Sequence, residues 1–214
     1  MKNLLELPFQ GEWKTLCPPG HNKFARDFVK VNDRQTRVKS SGFFPFRTHQ
    51  PQDHYCWEQP VLSPIDGSVV WLGDGWPDNN RINIFQTIKI WFNATYVFRP
   101  QIVSGRYDIR PNTGNFVMIK SLNGSFTVLL AHLKKNSVTV KEGDCVHKGD
   151  LIGNVGNSGN STEPHLHLNI FDQVEDPLNS KVLPFAFNKY QTFENNRWKI
   201  CHSIFPKVGS LIKP

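Results

Sequence analysis

The sequence has no long apolar run, no paired cysteine motif and no run of basic residues. Without a window of about 18 apolar residues, no membrane-spanning helix is expected. The four cysteines form neither a CxxC pair nor zinc-finger spacing, so they predict no metal finger and leave the disulfide state open. The longest basic run is Lys134-Lys135, and no stripe of positive charge therefore indicates a nucleic-acid partner.

The first residues also lack a visible secretory signal. The apolar run after Lys2 is interrupted by Glu6 and Pro8, and no small-residue cleavage site follows. The sequence is therefore compatible with action in the cytoplasm, with export by another route, or with a leader already removed.

The overall composition is that of a globular domain with an extension. The 214 residues are 38% hydrophobic and 20% charged, which suits one substantial core. Lys and Arg number 25 against 18 Asp and Glu, giving a formal charge of +7 and a pI near 9.3. This balance suits a polyanionic partner, such as nucleic acid, an anionic envelope polymer like teichoic acid, or an anionic membrane surface. We expect a monomer.

The chain is predicted to be all-β, with an antiparallel sandwich or open barrel built from hairpins. Five segments are rich in β-branched and aromatic residues and are bounded by turn formers: 67–73, 83–92, 114–122, 125–133 and 165–171. Asn123-Gly124 lies between two of them and predicts a two-residue type I′ hairpin turn. No window has a long helical period.

Two regions are predicted to elaborate this core. Residues 76–115 form a polar and aromatic insertion, expected to be a loop or hairpin over one edge of the sheet, either shaping a binding groove or only covering the edge. Residues 181–214 are aromatic enough to pack back on a domain formed by residues 1–180.

The segment "HLHLNI" places two histidines among aliphatic residues at alternating positions. In a strand, side chains at i and i+2 point to the same side, so His165 and His167 share one face and the aliphatic side chains face the core. One imidazole could be a hydrogen-bonded core residue and the other a coincidence. The alternative is a pair that presents nitrogen ligands to a metal.

Three other residues have unusual surroundings. Asp27 stands six positions after His21, follows Phe24 and precedes Phe28 and Val29, and burial of a carboxylate without a partner is costly. His132 ends the apolar strand "VLLAHL". Taken one at a time, Asp27 could pair with Arg26 and His132 could be a surface residue. Together, His21, Asp27 and His167 supply two imidazoles and one carboxylate, the ligand set of catalytic zinc sites that leave a fourth position for water.

The order of these motifs resembles the lysostaphin and LytM type zinc endopeptidases that cut bacterial peptidoglycan. The shared features are the histidine followed by an acid, the "PIDGSVV" strand start, the "AHL" strand end, the glycine-rich hairpin at 143–159 and the "HLH" strand. The resemblance implies a LytM-type catalytic domain, related to duplicated hybrid motifs, and a function as a zinc metalloendopeptidase acting on peptidoglycan peptide cross-links. It also implies action in the envelope or outside the cell.

The resemblance implies a role for each of these residues. His21, Asp27 and His167 match the ligands of one Zn²⁺ per chain, while His132 and His165 match the catalytic histidines. Five residues separate His21 from Asp27, a longer spacing than in many members, so Asp33 is an alternative ligand. Cys17 could also reach the metal, since thiolates bind zinc.

Two other classes remain open from the sequence. A non-catalytic LytM-like module would bind the envelope or regulate another wall hydrolase, although degenerate modules lose ligand residues and all five positions are filled here. The hairpin at 143–159 is also similar in architecture to lipoyl, biotinyl and glucose-type phosphocarrier domains. No modifiable lysine stands in the lipoyl pattern, and His147 within the hairpin is expected to lie at the surface.

Overall fold

The computed structural model describes residues 3–39, 48–93, 101–103, 106–173 and 179–214, which are mostly β-structure. The strands are β1 (Asn3–Leu5), β2 (Trp13–Leu16), β3 (Arg26–Lys30), β4 (Pro60–Leu62), β5 (Gly67–Gly73), β6 (Gln101–Val103), β7 (Arg106–Asp108), β8 (Asn115–Ser121), β9 (Thr127–Leu133), β10 (Cys145–Val146), β11 (Leu151–Asn154), β12 (Leu166–Phe171), β13 (Val182–Leu183), β14 (Phe185–Glu194), β15 (Arg197–Ile204) and β16 (Leu211–Lys213). The helices are a 3₁₀ turn (Pro51–Asp53), α1 (Ile84–Phe92) and α2 (Arg110–Thr113).

Twelve strands form one open sheet. Ten of them follow the order β1-β14-β16-β2-β3-β12-β9-β8-β5-β10, with β13 paired to β12 and β15 paired to β14. Neighbouring strands are antiparallel except β1 and β14, which run parallel. The path's end strands, β1 and β10, do not pair with each other, so the sheet is not a closed barrel. The predicted mostly antiparallel, open all-β fold is confirmed.

Strand β12 lies near the middle of the sheet and separates the core from the face that carries the histidines. Leu166, Leu168 and Ile170 are fully buried in the main hydrophobic cluster. His167 and Asn169 alternate with them and project from the opposite face. The alternation read from the sequence is therefore present in the structure.

The segment 83–92 was predicted as a strand, and this prediction is wrong. It forms α1, and the Asn83 side chain accepts a hydrogen bond from the backbone N–H of Gln86, as an N-cap residue does. The alternation of Ile88, Lys89 and Ile90 favoured a strand, but only Ile90 is buried. The cap and the single buried position suit one short helix better than a pleated strand.

The Asn123-Gly124 turn was predicted as type I′, and this detail is also wrong. Gly124 has a φ of 68°, whereas Asn123 is not among the residues with positive φ, and a type I′ turn requires both. The Asn123 side chain instead accepts hydrogen bonds from the Ser125 N–H and hydroxyl. The loop therefore closes through a side chain and is longer than two residues.

Two residues of the predicted insertion pack on a face of the sheet. Ile109 is buried against Phe116 and Met118, and Tyr107 packs against the same cluster. Leu129 and Ala131 of β9 belong to this cluster as well. Ala131 lies opposite His167 in the ladder, so the insertion packs on the face that carries the histidines. Residues 94–100 and 104–105, which belong to the predicted insertion, lie outside the described ranges.

The C-terminal residues continue the same sheet. β14 pairs with β1 and β16 pairs with β2, so the end of the chain flanks its beginning. Phe185, Phe187 and Tyr190 are buried in the main cluster. Among the described residues, no helix is both long and apolar enough to span a membrane.

Candidate metal centre and active site

Three neighbouring strands bring the candidate site together. In the ladder, His167 of β12 lies opposite Asp27 of β3 on one side and Ala131 of β9 on the other. Directly opposed residues share a face of a sheet, so the Asp27 and His167 side chains meet. His132 follows Ala131 in the next position.

The loop between β2 and β3 returns His21 to the same place. Its N–H donates to the carbonyl of Pro18, and the N–H of Ala25 donates to the carbonyl of Asn22, so two consecutive turns fold the loop. The His21 and His167 rings lie 5.2 Å apart between centroids. These turns take up the additional residues between His21 and Asp27, so the longer spacing does not separate the two side chains.

Asp27 is a buried carboxylate surrounded by imidazoles. Its Oδ1 lies 2.8 Å from His167 Nδ1, and its Oδ2 lies 3.4 Å from His21 Nε2 and 3.6 Å from His165 Nε2. Burial disfavours the charged carboxylate, but the neighbouring imidazoles outweigh burial and hold the pKa of Asp27 well below its usual value. Arg26 does not pair with Asp27. Its guanidinium instead donates to the carbonyls of Pro206, Lys23 and Ala25.

The surroundings shift the pKa values of the two imidazoles beside Asp27 in opposite directions. Burial opposes protonation of His167, but the hydrogen bond and charge of Asp27 raise its pKa. Burial lowers the pKa of His21, and Asp27 only partly offsets the effect. Asp27 and His167 thus favour each other's charged forms, with His21 alongside.

His21, Asp27 and His167 form a group with the geometry to hold a metal ion. Their candidate ligand atoms all lie within 4.8 Å of one another. Two imidazole nitrogens and one carboxylate oxygen suit zinc. The His21 side chain is 29% exposed, so one side of the group faces solvent. Asp33 is exposed, and neither Asp33 nor Cys17 belongs to the group.

His132 is buried and held by a backbone carbonyl. Its Nδ1 lies 2.9 Å from the carbonyl oxygen of Ser158, which can only accept, so the proton is on Nδ1. Burial, with His165 and His167 nearby, lowers the pKa of His132 well below its usual value. His132 is therefore neutral near pH 7, with an unprotonated Nε2. Its φ of 62° marks the irregularity at this strand end that turns the ring inward.

His165 is held in the same way as His132. Its Nδ1 donates to the Glu163 carbonyl at 2.7 Å, and the Ser161 hydroxyl lies 3.1 Å away. Its Nε2 faces Asp27. The His132 and His165 rings lie 4.6 Å apart between centroids. In both histidines Nε2 is the nitrogen not used in the bond to the backbone carbonyl, and the structure brings all five sequence-predicted residues together.

A charged clamp beside His165 was not predicted from the sequence. Arg37 forms an ion pair with the Glu163 carboxylate, and His54 Nδ1 lies 3.7 Å from the same carboxylate. Burial raises the pKa of Glu163 and lowers the pKa of His54 to about 4. The clamp fixes the backbone whose carbonyl holds His165. Glu163 stands two residues before His165, and this spacing in the sequence could have indicated that Glu163 lies beside the site.

Gly159 follows Ser158, whose carbonyl holds His132, and lies close to the backbone of Gly114. Gly159 has a φ of 67°, and a Cβ there would lie 2.2 Å from the backbone nitrogen of Gly114. We expect Gly159→Ala to lower the free energy of unfolding by about 2–5 kcal/mol, combining backbone strain with overpacking. Chemical denaturation followed by tryptophan fluorescence measures this loss.

Gly149→Ala is the matched control. Gly149 also has a positive φ, of 90°, but a Cβ there would meet nothing within 4 Å. Only the backbone strain of about 1–2 kcal/mol should remain. Equal losses in the two variants would show that the approach of Gly159 to Gly114 has no energetic importance.

Residues 100–180 match the family model for peptidase family M23. The matched range contains His132, His165 and His167 in the arrangement described above. Over this range the chain is similar to the peptidases of family M23. His21 and Asp27 precede the matched range, and they reach the site through the loop after β2 and through β3.

Similar proteins include both a sequence relative and solved structures. An uncharacterized metalloprotease of Buchnera aphidicola subsp. Baizongia pistaciae is 39% identical over 83 residues, which are 38% of this chain and 21% of that protein. The chain thus spans about a fifth of that relative's length. The lysostaphin catalytic domain from Staphylococcus simulans has a TM-score of 0.42 at 16% identity, covering 81% of this chain and 88% of its own. The catalytic domain of EnpA from Enterococcus faecalis has a TM-score of 0.44 at 15% identity, covering 80% and 88%.

Proposed function

We propose that this chain is a zinc-dependent metalloendopeptidase that hydrolyses peptide cross-links of bacterial peptidoglycan. The single observation that carries the proposal is the convergence of two different histidine pairs on one buried carboxylate. His21 and His167 flank Asp27 as metal ligands, and His132 and His165 present free Nε2 atoms beside them.

His21, Asp27 and His167 would hold the zinc ion. Zinc, when bound, would polarise the scissile carbonyl and lower the pKa of a water molecule from ~15.7 toward ~7. The depressed pKa of Asp27 keeps its carboxylate ionised, as a ligand must be. The solvent-exposed side of His21 provides the approach for a substrate.

His132 and His165 would transfer protons. Each has Nδ1 committed to a backbone carbonyl, so each can accept a proton only at Nε2. One would accept the proton of the attacking water, and the other would stabilise the oxyanion or deliver a proton to the leaving amine. The lowered pKa of His132 leaves its Nε2 unprotonated at neutral pH, as acceptance of a proton requires.

The proposed substrate and domain arrangement have separate support. The motif order resembles that of peptidoglycan-cutting enzymes, and the net charge of +7 favours an anionic envelope environment. The packing of Tyr107 and Ile109 on the histidine face supports a groove bordered by the insertion. We further propose residues 1–180 as the catalytic unit and residues 181–214 as an extension, since β14 and β16 pair with β1 and β2.

Digestion of purified sacculi tests this function. Sacculi with glycine bridges and with direct D-alanyl to diaminopimelate links are incubated with the protein, and new amino and carboxyl termini are identified by mass spectrometry. We expect new termini at one type of peptide bond. Binding to sacculi without any new terminus, by zinc-loaded protein, would instead indicate a non-catalytic module.

A further inference from the structure

Asn169 is a polar residue in the apolar strand β12. It stands two positions after His167 on the same face of the strand and is only 4% exposed. Its side-chain Oδ1 lies 3.0 Å from Nε2 of His167. Leu168 and Ile170 are fully buried on either side of it, so the backbone that carries Asn169 is fixed by core packing.

The contact with Asn169 determines which nitrogen of His167 would keep its hydrogen when a metal binds. The Oδ1 of Asn169 only accepts hydrogen bonds, so Nε2 is the N–H donor in this contact. The other nitrogen, Nδ1, faces Oδ1 of Asp27 at 2.8 Å and donates to that carboxylate. A metal that takes Asp27 as a ligand would displace the hydrogen on Nδ1, whereas the hydrogen on Nε2 stays with Asn169, so Nδ1 is the atom of His167 available to a metal.

The proton-transfer histidines have the reverse arrangement. His132 and His165 each donate from Nδ1 to a backbone carbonyl and leave Nε2 toward the site. Within the five-residue cluster, His167 thus differs from His132 and His165 in the nitrogen that is fixed by a neutral oxygen acceptor. This nitrogen is Nε2 in His167 and Nδ1 in the other two. The acceptor beside His167 is the side chain of Asn169, so a substitution can remove it. The backbone carbonyls that hold His132 and His165 cannot be removed in this way.

We propose that Asn169 is a positioning residue that holds His167 as an Nδ1 ligand by accepting the Nε2 hydrogen. This inference rests on the proposed metal site. Partners of this kind orient a ligand ring and typically contribute ~10–100-fold to metal affinity. Because Asn169 is buried, a solvent molecule does not readily replace its oxygen as acceptor.

Competitive zinc titration against a chelator tests the proposal at one fixed pH. Asn169→Leu removes the acceptor at similar volume, and we expect zinc affinity to fall by ~10–100-fold. Asn169→Asp keeps an oxygen acceptor, and we expect affinity at or above that of the wild type. Thr192→Val is the matched control, because Thr192 is a buried sheet residue whose hydroxyl donates to Leu211, remote from the site along the sheet.

Wild-type affinity in folded Asn169→Leu would overturn the proposal, as would equal losses in the Leu and Asp variants or in the Thr192 control. If the Leu variant does not fold, long-range ¹⁵N–¹H NMR correlation on zinc-loaded wild type decides. We expect the His167 proton on Nε2, and a proton on Nδ1 would contradict the inference. Failure of the wild type to bind zinc would refute the proposed function itself, so the two failures are distinguishable.

Discussion

His132→Asn is expected to retain bound zinc and to lower turnover on peptidoglycan by ~10²–10⁴, the usual effect of losing a positioned proton-transfer group. The His132 ring approaches the site without belonging to the group of ligand atoms. Asn is the appropriate replacement because it tolerates the positive φ of 62° at this position. Metal content and activity should therefore separate in this variant.

The measurement combines zinc analysis of the purified variant with the release of new termini from sacculi. His147→Asn is the matched control, since the His147 side chain is 81% exposed and is not one of the five site residues. The control should keep both zinc and activity. Near wild-type turnover in His132→Asn would contradict the assignment of His132, and loss of zinc would move it into the ligand group.

Asp27→Asn is expected to weaken zinc binding by at least ~10–100-fold. The substitution preserves volume but replaces the one negative charge of the ligand group by a neutral oxygen. It also removes the carboxylate oxygen that lies 2.8 Å from His167 Nδ1. The loss of the negative charge reduces the attraction of the site for a divalent cation. Competitive titration against a chelator measures the loss.

Asp33→Asn provides the matched control for this change. Asp33 is exposed and lies outside the cluster, so its zinc affinity should equal that of the wild type. The opposite result, with zinc lost in Asp33→Asn and kept in Asp27→Asn, would move the ligand by six positions in the sequence and require a different path for the loop after His21.

The sheet could be predicted because its strands follow simple patterns. In β12 the aliphatic residues alternate with polar ones, and burial of Leu166, Leu168 and Ile170 leaves only one orientation for the rest. The segment that forms α1 has no such clear pattern, since its apolar residues fit both a helical and a strand period. The Asn83 cap favours the helix. The Asn123 loop also depended on a side-chain hydrogen bond rather than on backbone preference.

The proximity of the five candidate residues could be predicted, but the atoms that they present to one another could not. Motif order placed His21, Asp27 and His167 in one group, while their spacing in sequence left Asp33 as an alternative. The atoms that each ring presents depend on tertiary neighbours, such as Ser158 for His132 and Asn169 for His167. Asn169 shares the strand face of His167, and that parity was the only signal available from the sequence.

The most direct test of the central claim is reconstitution of activity with zinc. The protein is stripped of metal with a chelator, checked for retained fold by circular dichroism, and assayed on peptidoglycan while zinc is added back. We predict no cleavage without metal, recovery that saturates near one zinc per chain, and no recovery in His167→Ala. Folded, metal-free protein that cleaves peptide cross-links at the zinc-loaded rate would contradict the account.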